Sequence, residues 1–490
     1  PAGGITRFTY DANGRLETMT DARGIEYLKN EYDVLNRIVR QTGPDGEIVQ
    51  MAYEMFSSNQ NARVVASVAT YPSGRILRQR FDQNGRLLTR EVNGLRFEYE
   101  RNGKNWLMKE TDPIGRVRQY TYDDVGNVKT INIQGTITQY EYEPTFNRVT
   151  KVTDPLGQAT MFEYDDKGDL VKAVDAEGKV TLLSYNGDGQ PTRITDALGD
   201  TTAFEYDSMG NLIVTTDPLG NQTERIYDLA GRMTRVIDPK GRASIFEYDT
   251  LNQVTAIFDA EGEKTSFSYD ANGNLLTVTD AKGQKTTYTY DVMDRLASRT
   301  DGKGRREFYE YDISGNLTKF MDRKGQVAFF EYDVFNRRTK ATTGDGRSTS
   351  YTYDAVGRLI QVDDTGSGQM QMRYDNLDRL TQEVTAQGVI EYTYDALDRR
   401  TSMSVNGGEA VAYRYDAVSQ LTAVGQGSLG VSLGYDAAGR RTTLNLPNGV
   451  STSYVYDAAS RVTKVEHQAL SVIESLSYSY DAAGNRTDIS

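Results

Sequence analysis

Cysteine is absent from this 490-residue chain, and histidine and tryptophan occur once each. Without cysteine the chain has no disulfide framework, no thiol nucleophile and no thiolate zinc site. The single histidine, His467, excludes any site built on paired imidazoles. No run of about 18 apolar residues is present, so no membrane span is predicted, and no signal peptide is visible. The net charge of −13 argues against binding to nucleic acid or to an anionic bilayer.

Tyrosine, in contrast, is abundant, and it recurs in a Tyr-Asp pair along the whole chain. Eighteen such pairs and five degenerate copies give about 23 repeats, and the step is 21 residues ten times in succession from Tyr164 to Tyr374. This self-similarity indicates one duplicated supersecondary unit. We predict a single continuous repeat array over residues 1–490, most regular at 164–374, with irregular insertions near 55–62 and 465–477. Because the chain begins and ends inside a unit, we expect it to be a fragment of a longer protein.

Each unit has the composition of a β-hairpin. Segments of five to seven residues rich in Thr, Val, Tyr and Phe are typical of strands. Gly, Asn or Asp in the turn after the Tyr-Asp pair tolerates positive φ, and the Asp is expected to accept turn amides. The second turn often reads Asp-Pro-x-Gly, as at 217–220. We assign a structural role to the following signature residues: Tyr206, Asp207, Gly210, Tyr227, Asp228, Gly231, Tyr269, Asp270, Gly273, Tyr353, Asp354 and Gly357.

The pattern of apolar residues leaves the two faces of the sheet unassigned. Aromatic residues two apart, such as Phe162 and Tyr164, point to one face, so we expect a ladder of rings along the sheet. On the following strand, Leu275 and Val278 are three apart and therefore have opposite parity. Apolar character is thus predicted on both faces.

The predicted fold class is all-β. Tandem hairpins of about 21 residues would supply about 46 strands, a ribbon roughly 220 Å long at ~4.8 Å per strand. A sheet of that length must twist and curl. We predict a long antiparallel sheet that spirals into a hollow shell or barrel.

The unit YDxxG[RN]L…TDxxG, found at 269–283 and 353–364, resembles that of the Rhs, or YD-repeat, proteins. Members include bacterial polymorphic toxins, shell-forming subunits of insecticidal toxin complexes and, more distantly, the extracellular barrel of teneurins. The resemblance implies a secreted or cell-surface bacterial protein whose β-sheet cocoon encloses its own C-terminal effector or cargo segment and works with delivery or secretion machinery.

The sequence departs from the toxin pattern in two respects. It contains no effector after the repeats, and the Asp-based self-cleavage core of such shells is not recognisable near Ser490. The closest segments, Asp217-Pro and Asp238-Pro, are one repeat apart and are interpreted as ordinary turns.

Motifs that resemble catalytic or binding sites have simpler interpretations. Residues 425–430 fit GxGxxG and residues 430–434 fit GxSxG, but both motifs require a following helix, and a strand is predicted here. We interpret His467 as a loop residue in an insertion. The adjacent acids Asp123-Asp124, Asp165-Asp166 and Asp363-Asp364 are interpreted as turn residues rather than calcium or glycosidase sites. No catalytic, metal or cofactor-binding residue is therefore assigned.

Three hypotheses of function follow. The first is a non-enzymatic shell that encapsulates a toxin or effector outside this sequence. The second is a secreted or cell-surface recognition module that binds glycans or a partner cell, with tyrosine rings stacking on sugars. The third, a self-cleaving protease, has the least support from the residues.

Overall fold

A computed structural model describes residues 5–56 and 63–490. Within those two ranges every regular element is a β-strand, and none is a helix. The predicted all-β class is therefore confirmed. Most of the predicted insertion near 55–62 lies outside the described residues, and Phe56 N donates to Arg63 O across it at 3.0 Å.

The first half of the chain contains 23 strands. They are β1 (Arg7–Tyr10), β2 (Leu16–Thr20), β3 (Glu26–Tyr32), β4 (Ile38–Thr42), β5 (Ile48–Met55), β6 (Val64–Thr70), β7 (Ile76–Phe81), β8 (Leu87–Val92), β9 (Leu95–Arg101), β10 (Leu107–Thr111), β11 (Val117–Tyr122), β12 (Val128–Ile133), β13 (Thr136–Tyr142), β14 (Val149–Thr153), β15 (Ala159–Tyr164), β16 (Leu170–Val174), β17 (Val180–Tyr185), β18 (Pro191–Thr195), β19 (Thr201–Tyr206), β20 (Leu212–Thr216), β21 (Gln222–Tyr227), β22 (Met233–Ile237) and β23 (Ala243–Tyr248).

The second half of the chain contains the remaining 23 strands. Its strands are β24 (Val254–Phe258), β25 (Lys264–Tyr269), β26 (Leu275–Thr279), β27 (Lys285–Tyr290), β28 (Leu296–Thr300), β29 (Arg306–Tyr311), β30 (Leu317–Met321), β31 (Val327–Tyr332), β32 (Arg338–Thr343), β33 (Ser348–Tyr353), β34 (Leu359–Asp364), β35 (Gly368–Tyr374), β36 (Leu380–Thr385), β37 (Gly388–Tyr394), β38 (Arg400–Val405), β39 (Val411–Tyr415), β40 (Leu421–Gln426), β41 (Leu429–Tyr435), β42 (Arg441–Asn445), β43 (Ser451–Tyr456), β44 (Val462–Gln468), β45 (Val472–Tyr480) and β46 (Arg486–Ile489).

Strands that follow one another in the chain pair antiparallel, as β15 does with β14 and with β16, and the 46 strands belong to one sheet. We call the odd-numbered strands tyrosine strands, because nearly all of them end at or near the tyrosine of the repeat. We call the even-numbered strands return strands. The five-residue turn after a tyrosine strand is a tyrosine turn, and the turn after a return strand is a return turn.

Contacts divide the chain into two compact units, each made of two separate stretches. Unit 1 combines Pro1–Arg118 with Phe246–Met372, and unit 2 combines Gln119–Ile245 with Arg373–Ser490. In each unit, an early stretch therefore lies against a stretch about 250 residues later in the sequence, as in the hydrogen bond between Ala22 and Asn272.

A β-bulge at every regular tyrosine turn resolves the parity problem of the sequence. Ser268 pairs with Thr277, but the next residue, Tyr269, pairs with Leu275, so Leu276 is the extra residue. Phe267 in turn pairs with Val278. Both aliphatic residues therefore lie opposite aromatic residues of one face. Large apolar side chains also occur on the other face, as at Met161 and Phe329, which are exposed.

The rings on this face alternate with aliphatic side chains rather than forming an unbroken ladder, because a return strand separates successive tyrosine strands. One close ring pair occurs between Tyr309 and Phe320, with centroids 5.2 Å apart. Among the described residues the buried hydrophobic ones are Val92 and Ala256. Half-buried cross-strand pairs and polar bonds between repeats thus carry much of the stabilisation.

Candidate functional site

The tyrosine of the repeat ties each hairpin to the one before it. The hydroxyl of Tyr290 donates to the main-chain oxygen of Leu275 at 3.0 Å. The ladder between β26 and β27 covers Thr277–Thr279, so Leu275 lies beyond it and its carbonyl needs another partner. The hydroxyl of Tyr290 supplies that partner, beyond the end of the ladder between β26 and β27.

The same bond, 2.7–3.0 Å long, recurs to the first residue of the preceding return strand throughout the array. The donors are Tyr32, Tyr53, Tyr142, Tyr164, Tyr185, Tyr206, Tyr227, Tyr269, Tyr290, Tyr311, Tyr332, Tyr353, Tyr394, Tyr415, Tyr435, Tyr456 and Tyr480.

The aspartate after the tyrosine closes the tyrosine turn. In the turn after Tyr227, Asp228 Oδ1 accepts the amides of Ala230 and Arg232 at 2.9 and 3.0 Å. Its Oδ2 accepts Arg232 Nε at 2.7 Å. Gly231, with φ of +75°, makes the left-handed step that only glycine adopts without strain. The predicted capping role of this aspartate is what the geometry shows.

An arginine at the end of many tyrosine turns reaches into the next repeat. Arg337 Nε donates to Asp333 Oδ2 at 2.7 Å, and its Nη1 donates to the main-chain oxygen of Asp354 at 3.1 Å. The guanidinium also lies over the ring of Tyr353, 4.7 Å from the centroid. One side chain thus joins two turns by a hydrogen bond and a cation–π contact.

We call this set of contacts the repeat joint: the tyrosine hydroxyl, the aspartate cap and the bridging arginine. The full arginine bridge recurs at Arg295, Arg379, Arg399, Arg440 and Arg461. Where asparagine replaces arginine, as at Asn211, the amide still donates to the capping aspartate, at 2.9 Å, but does not supply a cation.

The other signature residues occupy equivalent positions. Tyr206, Tyr269 and Tyr353 donate to Pro191 O, Val254 O and Arg338 O at 2.9, 2.8 and 2.9 Å. Their aspartates accept pairs of turn amides at 2.9–3.0 Å. The aspartates are Asp207, Asp270 and Asp354, and the following glycines Gly210, Gly273 and Gly357 all have positive φ.

Hydrogen bonding lowers the pKa of Asp207, Asp228 and Asp354 below the ordinary value. For Asp228 the largest cause is the hydrogen bond from the Arg232 side chain, and for Asp207 it is the one from Asn211. Burial raises the pKa of Asp354, but the bonds from Arg358 outweigh it, and the net direction is down. Burial raises the pKa of the Tyr353 hydroxyl. The joint is therefore held by ionised carboxylates and protonated phenols at neutral pH.

The motifs that resemble catalytic sites lie in hairpins. The GxGxxG residues 425–430 are the end of β40, the two-residue connection 427–428 and the start of β41, with Gly425 opposite Gly430, and a strand rather than a helix follows. His467 is not a loop residue, as predicted, but lies in β44, opposite Thr452, with Nδ1 2.9 Å from Thr452 Oγ1. The insertion near 465–477 lengthens the two strands of its hairpin, which is why this residue is within a ladder.

The adjacent acids are largely occupied by backbone and side-chain donors. Asp363 and Asp364 end strand β34 rather than lying in a turn, which corrects the prediction for this pair. Asp364 Oδ1 accepts the amides of Gly366 and Ser367 at 2.9 and 2.7 Å, while Asp363 accepts from two glutamines. Across residues 5–56 and 63–490, no group of three or more His, Cys, Asp or Glu is arranged to hold a metal ion.

Asp217 and Asp238, the two Asp-Pro positions, are ordinary return-turn caps. Asp217 Oδ1 accepts the amides of Leu219 and Asn221 at 2.9 and 2.8 Å. Asp238 Oδ1 accepts those of Lys240 and Arg242 at 2.9 and 3.0 Å. Their carboxylates are engaged as in the other aspartate-capped return turns, such as the one at Asp196.

Within unit 1, return turns of the early stretch contact tyrosine turns of the late stretch. Asn272 Nδ2 donates to Asp21 Oδ2 at 2.6 Å, and Asn272 Oδ1 accepts from Ala22 N at 3.1 Å. Arg23 forms an ion pair with Asp294 at 2.8 Å and donates to the main-chain oxygen of Asp291 at 3.0 Å. We call this contact the seam of unit 1.

A cavity of about 530 Å³ opens beside that seam, lined by residues of both stretches, including Tyr27 and Met293. Two of its three carboxylates, Asp21 and Asp294, are paired with Arg23 and Asn272, so they hold the two stretches together. The third, Glu47, accepts the amide of Asp45 in its own turn.

Unit 2 has a corresponding seam. Lys240, in a return turn of the early stretch, contacts Asp481, in a tyrosine turn of the late stretch, at 3.0 Å. The Lys240 ammonium lowers the pKa of Asp481 to about 2. The same pairing of edges, return turn to tyrosine turn, thus occurs in both units.

Comparison with known proteins places this arrangement in a family. The RHS repeat family model matches residues 1–26, 122–159, 144–180, 164–196, 185–222, 210–243, 248–285 and 434–470, and the teneurin YD-shell model matches residues 277–426. The chain belongs to the RHS/YD-repeat family. The resemblance seen in the Tyr-Asp units is thereby confirmed.

This RHS/YD-repeat chain is 26% identical, over 154 residues, to double-stranded DNA deaminase toxin A of Burkholderia cenocepacia (strain H111). The match covers 27% of this chain and 10% of that toxin.

Solved toxin-complex structures share the fold. The crystal structure of TcdB2-TccC3-TEV superposes with a TM-score of 0.71 at 13% identity, over 99% of this chain and 35% of that one. TcdB2-TccC3 without its hypervariable C-terminal region gives 0.64 at 14%, over 99% and 34%. The Photorhabdus luminescens Tc holotoxin pore gives 0.58 at 13%, over 99% and 35%. The chain thus spans about a third of the length of these solved chains.

Sequence reasoning missed two parts of the joint, the tyrosine hydroxyl bond and the arginine bridge. The recurrence of Arg five residues after the tyrosine, as at Arg295 and Arg337, was visible in the sequence. Its partners lie in the next repeat, however, and only the register of the strands identifies them.

Proposed function

We propose that this RHS/YD-repeat chain is a non-enzymatic part of a shell that encapsulates a C-terminal toxin or effector lying outside the sequence. The family match and the shared fold support a shell role. The observation that carries the proposal is the repeat joint, because its recurrence turns a chain of small hairpins into one continuous wall.

The chemistry of the joint also supports a structural role. The tyrosine hydroxyls donate to backbone carbonyls, and the aspartates accept turn amides and arginines. Tyr227 and Asp228, for example, make these bonds to Leu212 and Arg232 within the sheet. We therefore assign the signature residues to the wall and propose that the 490 residues act as one continuous array.

The toxin relative and the toxin-complex neighbours support the remaining parts of the proposal. We propose a bacterial protein that is secreted or held at the cell surface. Its partners would be its own effector segment and the machinery that delivers it.

Limited proteolysis of the natural full-length protein tests the proposal. The effector segment is expected to survive proteinase K many times longer inside the full-length protein than as an isolated polypeptide. A variant with Asp354→Ala and Tyr353→Ala, which breaks one joint, should shorten that survival. The matched control is Glu163→Ala, an exposed residue of strand β15. Digestion of the effector at the same rate in both settings would refute encapsulation.

A further inference from the structure

The return turn between β6 and β7, in unit 1, lacks the aspartate that closes the regular return turns. Tyr71 holds the capping position, because its amide bonds to Arg75 O at 2.9 Å and its carbonyl accepts Gly74 N at 3.0 Å. In the regular return turn of Asp301, the carboxylate accepts Arg305 Nε at 2.8 Å. The tyrosine has no carboxylate, so Arg75 does not have the counter-ion that Arg305 has.

The Arg75 guanidinium has no other counter-ion within residues 5–56 and 63–490. Its carbon atom lies 5.2 Å from the centroid of the Tyr71 ring. Its Nε is buried and has no hydrogen-bond partner. A buried N–H group without a partner costs free energy, which an acceptor bound beside it would recover.

Arg90, in β8, is a second arginine without a carboxylate partner in the described part of the chain. It lies opposite Phe97, with its guanidinium carbon 6.0 Å from the ring centroid. Arg299 holds the equivalent place in β28, but it lies opposite Glu307 and pairs with that carboxylate at 3.5 Å. The neighbouring strand thus supplies a counter-ion to Arg299 and an aromatic ring to Arg90.

Arg75 and Arg90 line the same cavity, which has a volume of about 270 Å³. Most of the other lining residues are apolar, and they come from both stretches of unit 1: Val92, Leu95, Phe97, Phe335, Ala355 and Val356. Because both stretches contribute to it, the cavity lies between them rather than at an end of the repeat array. It combines two positive charges with apolar walls.

A third arginine of the lining, Arg337, already has a counter-ion. It pairs with Asp333 at 2.7 Å and donates to the main-chain oxygen of Asp354 as part of the repeat joint. No carboxylate is among the described residues that line the cavity. The positive charges that await a partner there are therefore those of Arg75 and Arg90.

We propose that this cavity binds a small carboxylic acid in its ionised form. The carboxylate would bind Arg75 and Arg90, supplying the acceptor that Asp301 and Glu307 supply to the equivalent arginines elsewhere. Arginine presents paired N–H donors that match the two oxygens of a carboxylate. A short apolar group of the ligand would pack against Val92, which is 6% exposed.

The size of the cavity favours a small ligand. Pockets for drug-sized ligands have volumes of about 300–1,000 Å³, and this one, at about 270 Å³, lies just below that range. A free acid with a chain of a few carbon atoms meets both the size and the mixed lining. This inference does not depend on the shell proposal.

Saturation-transfer difference NMR on the natural full-length protein tests the proposal, with hexanoate as the probe. Hexanoate is expected to bind with a Kd below about 1 mM. Hexanamide, which has the same length but no charge, should bind at least about tenfold more weakly. Inorganic sulfate, which has charge but no apolar group, should not displace hexanoate at equal concentration.

Two outcomes of these titrations would overturn the proposal. One is the absence of hexanoate binding, including the case in which a carboxylate side chain from elsewhere in the protein fills the cavity. The other is equal binding of hexanoate and hexanamide, which would show that the arginines do not recognise the ligand.

Substitution of each arginine locates the binding. Arg75→Gln and Arg90→Val should each weaken hexanoate binding about tenfold or more, because hydrogen bonds to charged groups are strong. Val278 stands at the position equivalent to Arg90, so Arg90→Val should fold normally. Its midpoint of thermal unfolding without hexanoate should not fall, since the substitution removes an unpaired charge from a partly enclosed site.

The opposite results would contradict the assignment. Unchanged hexanoate binding by both variants would place the ligand elsewhere, and a clear loss of stability in Arg90→Val would show that Arg90 serves the sheet instead. Arg80→Gln is the matched control, because Arg80 is an exposed arginine of β7 outside the lining of the cavity. This variant should bind hexanoate like the unmodified protein. An equal loss of binding in Arg80→Gln would indicate a general effect of charge and would overturn the proposal.

Discussion

Replacing Tyr353 by phenylalanine isolates one bond of the repeat joint. The change removes the hydroxyl that donates to Arg338 O at 2.9 Å but keeps the ring, which pairs with Leu359 and lies under Arg337. A net intramolecular hydrogen bond contributes about 0.5–1.5 kcal/mol. Because the bond lies between β32 and β33, the loss should be felt where these two hairpins join.

Hydrogen–deuterium exchange measures that loss locally, since amide protection reports the free energy of local opening. Amides of the β32–β33 ladder, in which residues 340–342 pair with residues 348–350, are expected to exchange about 2- to 13-fold faster, which corresponds to about 0.5–1.5 kcal/mol. Hairpins several repeats away should be unchanged, because interactions in a repeat array are mainly between neighbours.

Tyr351→Phe is the matched control. Tyr351 lies two residues earlier on the same face, opposite Val362, and its hydroxyl makes no hydrogen bond within the described part of the chain. Its loss should leave exchange unchanged. Equal effects of the two substitutions, or no effect of either, would refute the idea that the hydroxyl bond joins the repeats.

Three further predictions concern the turns and seams. Asp354→Ala should weaken the same joint by about 2 kcal/mol, because it removes two net hydrogen bonds, and hydrogen–deuterium exchange measures the loss. Amide protection equal to that of Tyr353→Phe would contradict the capping role of Asp354. Acidification should loosen the unit 2 seam, because the pKa of Asp481 is lowered to about 2. The stabilising effect of the ionised Asp481 is present above about pH 4 and is lost as the pH falls towards 2. A Lys240→Gln variant with the same dependence of stability on pH would count against this prediction. Asn272→Ala should speed amide exchange at the Asp21 turn, 251 residues away in the sequence. An unchanged exchange rate there would show that Asn272 does not hold the two stretches of unit 1 together.

Most of the local structure follows from the period of the sequence. Strand segments between glycine-containing turns are short-range features, so Tyr269 and Gly273 were sufficient to predict a hairpin. The sequence alone did not assign Leu275 and Val278 to one face, because a bulge shifts the register by one residue and brings both to the same face. A bulge of this kind is set by turn geometry, which the alternation of apolar residues does not reveal.

The contacts between distant repeats were beyond the sequence pattern for a different reason. Asp21 and Asn272 form a hydrogen bond although they are 251 residues apart in the sequence, and the pattern within one repeat does not specify which distant turns come together. His467 illustrates the same limit on a smaller scale, since three extra residues lengthened two strands instead of forming a loop.

Single-particle electron microscopy of the natural full-length protein tests the central claim most directly. The account predicts a continuous wall of YD repeats with density for the effector polypeptide on its inner side. An effector folded as a separate domain outside the wall, with no polypeptide density within it, would contradict the account.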